Sequence, residues 1–157
     1  MKLYIFLIVL FLPIAVFAQF FSGKYVSAPE MEGFDHFEIK HKHGDEGRFE
    51  GIFDLHAFVA HQEMWSQPAI TLHGVEADSF VQKYGEGKDI LSVHKMKILW
   101  DGFEWEFFLL GYLDSKGHGE FIVVEELFSD ETETELKEVK RYHWKKAHHL
   151  GLKQLVH

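Results

Sequence analysis

The chain has 157 residues, of which 16 are Lys or Arg and 25 are Asp or Glu, giving a formal charge of −9 with histidine neutral. That acidity, with arginine only at Arg48 and Arg141, argues against nucleic acid and anionic membrane surfaces as partners, because phosphate binding needs clustered basic side chains. The absence of cysteine removes disulfides and cysteine lipidation, and an aromatic content of 16% excludes a disordered tail.

The opening segment, MKLYIFLIVLFLPIAVFAQ, carries one Lys and then an apolar run closing on Val16, Phe17 and Ala18. This is the layout of a signal peptide over residues 1–18, with cleavage predicted after Ala18. The run is shorter than the roughly 20 apolar residues that span a bilayer. A secreted or periplasmic product with no stable membrane insertion is therefore expected. Residues 19–157 are then long enough for one domain with its own core. The sequence holds no asparagine, hence no N-glycosylation acceptor.

GKYVS, from Gly23, reads as a first strand, and APEMEG as a loop. FDHFEIKHKH and RFEGIFDLHAFVA flank GDEG, the mark of a hairpin. Pairing Phe37 with Leu55, Ile39 with Phe53 and His43 with Phe49 makes one face apolar. The other face then carries Lys42 against Glu50 and Lys40 against Ile52, as a half-buried antiparallel pair requires.

AITLHGVEA predicts another strand, and DSFVQKYGEG a short irregular or helical piece. The strongest signal is ILSVHKMKILWDGFEWEFFLLGYLD, where Asp101-Gly102 tolerates the positive φ of a tight hairpin turn. A two-residue loop pairs Trp100 with Phe103, Ile98 with Trp105, Met96 with Phe107 and Lys97 with Glu106. Apolar meets apolar and base meets acid, so the register checks itself. The far end of this hairpin, with Leu91, Val93, Leu109 and Leu110, is apolar on both faces and needs a cover. DSKGHGE turns into a further strand, FIVVEELF.

The segment SDETETELKEVKRYHWKKAHHLG is acidic at its start, basic at its end and closed by Gly151. That order suits a helix dipole, and Leu136, Val139, His143, Ala147 and Leu150 share one helical stripe. A C-terminal helix over about 130–150 is expected, packed outside the sheet over the doubly apolar end. The competing reading is a strand, because Leu136, Lys140, Tyr142 and Trp144 share a parity.

Three histidines, His36, His41 and His43, crowd the first hairpin. His41 and His43 have the spacing for one face of a strand, while His36 has the opposite parity. His-x-His also begins the cupin signature, but no acid follows at the required distance. Metal ligation by His41 and His43 is the alternative to a solvated hairpin tip. His36 and His56, with Glu38 and Asp54, form a second polar group on the other face.

No cysteine nucleophile, Gly-x-Ser-x-Gly elbow, His-Glu-x-x-His or phosphate loop is present. Pairs such as Glu104 with Glu106, or Glu125 with Glu126, have the composition for acid–base work. The first lies on the lysine-bearing face. No enzymatic activity and no cofactor are expected. The aromatic residues are the better clue: Tyr25, Phe37, Phe53, Met96, Trp100, Trp105 and Phe107 fall on apolar strand faces. They line either a filled core or a cavity for one small apolar ligand.

FFSGKYVS, Phe20 to Ser27, resembles the opening of the calycins (the lipocalins and fatty-acid-binding proteins), where a Phe-x-Gly-Lys-aromatic stretch begins the first strand. The resemblance implies a β-barrel that carries a small apolar ligand, with Tyr25 as the aromatic plug of its floor. A late helix against the barrel wall fits the same pattern. The lipocalin arginine that closes the floor from a final strand has no counterpart in this reading, since Arg141 falls in the expected helix. The expected architecture is mainly β: an antiparallel meander forming a closed or nearly closed barrel, or a rolled sheet. The expected function is a monomeric binder of a small apolar molecule. The alternatives are a filled-core module that holds a protein or glycan, and a histidine-based metal binder.

Overall fold

The structure, a computed structural model, describes residues 21–31, 36–42, 52–59, 62–65, 67, 69–100, 102–129 and 134–147. Within these, only the backbone is described for residues 40–42, 52–59, 62–65, 100 and 103. The strands are β1 (Gly23–Ala28), β2 (His36–Lys42), β3 (Ile52–Val59), β4 (Gln62–Trp65) and β5 (Ile70–Leu72), then β6 (Ile90–Trp100), β7 (Phe103–Leu113), β8 (Gly119–Phe128) and β9 (Leu136–Lys146). One helix, α1 (Gly74–Tyr84), separates β5 from β6. All pairings are antiparallel, and the sheet order is β4-β3-β2-β1-β9-β8-β7-β6-β5.

That order forces curvature. The two outermost strands, β4 and β5, are consecutive in the chain and joined only by residues 66–69. A flat nine-stranded sheet would hold them about 38 Å apart, whereas so short a link reaches about 17 Å. The Gln67 N–H donates to the Lys97 carbonyl on β6 at 2.8 Å, which draws the link onto the far side. The result is a curled, half-barrel antiparallel sheet.

The β6–β7 hairpin has the expected register, with Trp100 opposite Phe103, Ile98 opposite Trp105, Met96 opposite Phe107 and Lys97 opposite Glu106. The β7–β8 hairpin also forms where expected, closing on Leu113 and Gly119. The β2–β3 register differs by two residues. Ile39 faces Leu55, Lys40 faces Asp54 and His41 faces Phe53. An even slip preserves which residues share a face, so the division into faces survives while the individual partners change. His36 consequently faces Phe58 rather than His56.

The helix expected over about 130–150 is a correction: Leu136–Lys146 is strand β9, lying between β1 and β8. Dipole and capping terms contribute about 0.3–1 kcal/mol each. Pairing both strand edges and burying Tyr142 and Trp144 on one face outweighs them at about 1.5–3 kcal/mol per large apolar side chain. The parity shared by Tyr142 and Trp144 was the decisive signal. Among the described residues the helix α1 begins at Gly74, inside the segment read as strand, and β5 is cut to three residues. It performs the covering role: Ala77, Phe80, Val81 and Tyr84 pack with Val93, Phe108, Leu110, Ile122 and Val124. The Phe80 and Phe108 rings stack at 4.1 Å. Leu91, by contrast, stays exposed.

The opposite face carries the main core. Phe37 and Ile39 of β2 join Met96 and Ile98 of β6 in one cluster with Tyr25, Phe107, Leu109, Phe121, Val123 and Trp144. Strands five places apart in the sheet order meet only across a concave surface, so this is the inner face.

Candidate functional site

The inner face is sealed at one end. Tyr25 on β1 pairs with Lys146 on β9, and both side chains are buried. The Tyr25 hydroxyl donates to the Phe21 carbonyl at 2.7 Å and lies 3.3 Å from the Gly119 carbonyl. Burial, and then the nearby Glu120 charge, push the phenol pKa well above its ordinary value. Lys146 Nζ stands 5.9 Å from the Tyr25 ring centre and donates to the Ser22 carbonyl at 3.0 Å. Burial pulls the ammonium pKa below its ordinary value. The rings of Phe21 and Phe121 (5.1 Å) and of Tyr25 and Phe121 (5.4 Å) complete the plug.

Gly111 is required here. A Cβ at this position would lie 2.8 Å from Ser92 Oγ and 2.9 Å from a Phe21 ring carbon. Beside the plug, Phe37 stacks on Trp144 at 3.8 Å. The Trp144 Nε1 donor is buried without a hydrogen-bond partner, which marks this region as an imperfectly satisfied interior.

Towards the other end burial falls away on three neighbouring strands. On β9 it runs from fully buried Trp144 through Tyr142, at 9% exposure, to exposed Lys140. On β8 it runs from fully buried Val123 to Glu125, at 8%. On β7, Phe107 is fully covered and Trp105 only partly. Among the described residues the inner face therefore has a packed floor and an opening end lined by Trp105, Glu125 and Tyr142. Glu125 shares the parity of Phe121 and Val123, and its Oε2 lies 3.5 Å from the Tyr142 hydroxyl. Burial raises its carboxyl pKa above the ordinary range, against a weaker opposing pull from Lys140.

Of the residues singled out as ligand-lining, Tyr25, Phe37, Met96 and Phe107 come together in this cluster and Trp105 packs against it. Phe53 lies on β3 opposite His41, and Trp100 ends β6 opposite Phe103. The side chains of Phe53 and Trp100 fall outside the description. So does the His41 side chain, while His43 lies outside the described residues altogether. Among the described residues no group of three metal-ligating side chains is found.

Sequence reasoning missed Phe121, Trp144, Tyr142, Glu125 and Lys146. Phe121 and Glu125 alternate along FIVVE, already read as a strand, while Tyr142, Trp144 and Lys146 alternate along YHWKK, where the pattern counts only once that segment is a strand. Glu125 and Glu126 do not form a pair, because adjacent strand residues point to opposite faces. Glu126 instead accepts from Tyr84 and Lys83 on the α1 side, where Arg141 lies over the Tyr84 ring at 5.3 Å. Glu104 and Glu106 are held in exposed ion pairs by Lys97 and Lys95.

No protein-family model, curated protein or solved structure matches this chain.

Proposed function

We propose that this chain is an exported, calycin-like β-barrel that binds one small apolar molecule on its inner face, at the end where Trp105 is only partly covered. The observation that carries the reading is the graded burial of three adjacent strands, from a packed floor to an end where the aromatic Trp105 is only partly covered. Lys146 over Tyr25 supports the calycin likeness: a basic side chain on the last strand meets the floor aromatic of the first. Lysine fills the place for which no arginine was found.

The test is titration of mature protein with fatty acids, retinoids and a naphthalene dye, following tryptophan emission and melting temperature. Saturable emission change with a rise in melting temperature supports the carrier. Ligand at a hundredfold excess over Kd stabilises by about 2.7 kcal/mol. Native mass spectrometry of exported protein reads any co-purifying molecule, and its intact mass reads cleavage after Ala18. No response to any ligand well above micromolar concentration leaves the second reading, a filled-core interaction module. That alternative draws on the complete burial of Phe107 and Trp144 and on the lack of room at Gly111.

A further inference from the structure

We propose that the molecule held at the open end is an apolar amine, its cationic nitrogen taken by the Glu125 carboxylate beside the rings of Tyr142 and Trp105. This rests on the binding role proposed above and names the ligand class of the same site.

The Glu125 side chain lies on the inner face, where the Tyr142 hydroxyl stands at a marginal 3.5 Å from its Oε2. Among the described residues no Lys, Arg or His nitrogen forms an ion pair with it. Its cross-strand partner Lys140 is exposed to solvent. A carboxyl that is more than nine-tenths covered, with no close ion pair and only the weaker pull of exposed Lys140, carries a desolvation cost that is only partly offset.

The neighbours limit what can offset that cost. Continuing the β7–β8 ladder one residue past Phe108 and Val124 sets Phe107 opposite Glu125 and Trp105 on the diagonal, within reach of a large aromatic side chain. A carboxylate flanked by aromatic rings matches an ammonium group on an apolar skeleton, through one charge-assisted hydrogen bond and ring-face attraction. A fatty acid would set a second carboxylate against Glu125, and a neutral alcohol would add no charge to offset its burial. The chain's net charge of −9 raises the local concentration of cations at the opening.

Calorimetry with 2-phenylethylamine, 2-phenylethanol and 3-phenylpropanoate at physiological salt tests this. The amine is expected to bind roughly tenfold tighter than the alcohol, as one charge-assisted contact supplies, and the acid weakest. Glu125→Gln, close in volume, is expected to bring the amine to the alcohol's affinity and leave the alcohol unchanged. Glu125→Asp is expected to keep part of the preference, and circular dichroism verifies that both variants are folded. Equal binding of amine and alcohol to the natural chain overturns the proposal while leaving interior binding intact. A preference that survives Glu125→Gln also overturns it, assigning the effect to overall charge. Absence of binding by the alcohol and by an apolar dye removes the underlying site, and the proposal with it.

Discussion

Lys146 and Tyr25 meet across the β1–β9 ladder at 5.9 Å, joining residues 121 positions apart in the chain at the floor of the sheet. Each also fixes the backbone that enters β1, the phenol through the Phe21 carbonyl and the ammonium through the Ser22 carbonyl. Tyr25→Phe should cost about 1–2 kcal/mol through the lost buried hydrogen bond. Lys146→Met keeps the stem but not the donor and should cost about as much. Urea denaturation of both variants and of the double mutant measures this. Strict additivity would separate the two residues, whereas a coupling energy of about 0.5 kcal/mol or more marks one shared unit.

The floor is also closed to added volume. Gly111→Ala places a methyl against Ser92 Oγ and the Phe21 ring and is expected to destabilise by about 1–3 kcal/mol. Gly117→Ala, in the open β7–β8 turn, meets no steric neighbour and is penalised only for its positive φ of 80°. Melting curves in which Gly111→Ala is as stable as the natural chain would contradict a packed floor.

His94 lies on the inner face of β6, with Nδ1 3.1 Å from Thr71 Oγ1. Burial, reinforced by His73, lowers its imidazole pKa to about 4. The unfolded chain, with a pKa near 6.5, therefore binds this proton first as pH falls. Stability from neutral His94 is complete above about pH 6.5 and is lost as pH drops towards 4, by about 3 kcal/mol in all. His94→Gln should flatten the stability–pH curve between those limits. An unchanged slope in equilibrium unfolding from pH 7 to 4 would place the proton elsewhere.

Glu86, just past α1, holds the left-handed backbone at φ 51°, a conformation that costs a residue with Cβ about 1–2 kcal/mol. Its contact with His143 is long, at 3.5 Å, and partly exposed, so its loss costs little. Glu86→Gly is expected to raise stability by about 0.5–1 kcal/mol, read as a higher melting temperature. A lower one would show that the His143 contact outweighs the backbone strain.

The sequence by itself determined the β6–β7 register from the turn as far as Ser92 and Gly111, short of the irregularity between Ile90 and Ser92. Its turn, Asp101-Gly102, is local and fixes the loop length, and a slip of one residue would set Lys97 and Glu106 against apolar partners. It also marked Tyr25, Phe37, Met96 and Phe107 as inward-facing, because alternation is set by strand geometry alone. The tertiary structure decided β9. Caps and charge order spoke for a helix, yet the partners that make Leu136–Lys146 a strand lie in β8 and in β1, the latter more than 100 residues earlier. Locally that pairing shows only in the parity shared by Tyr142 and Trp144, which competes with a helical stripe over the same segment. The tertiary structure also placed Glu125 and Lys146. Their residue types announce surface positions, and only the curl of the sheet, which brings β2 and β6 into one cluster, turns that face inward. The β2–β3 register was half legible: alternation fixed which residues share a face, but a slip of two preserves that pattern, and only pairing within the assembled sheet separates the two registers.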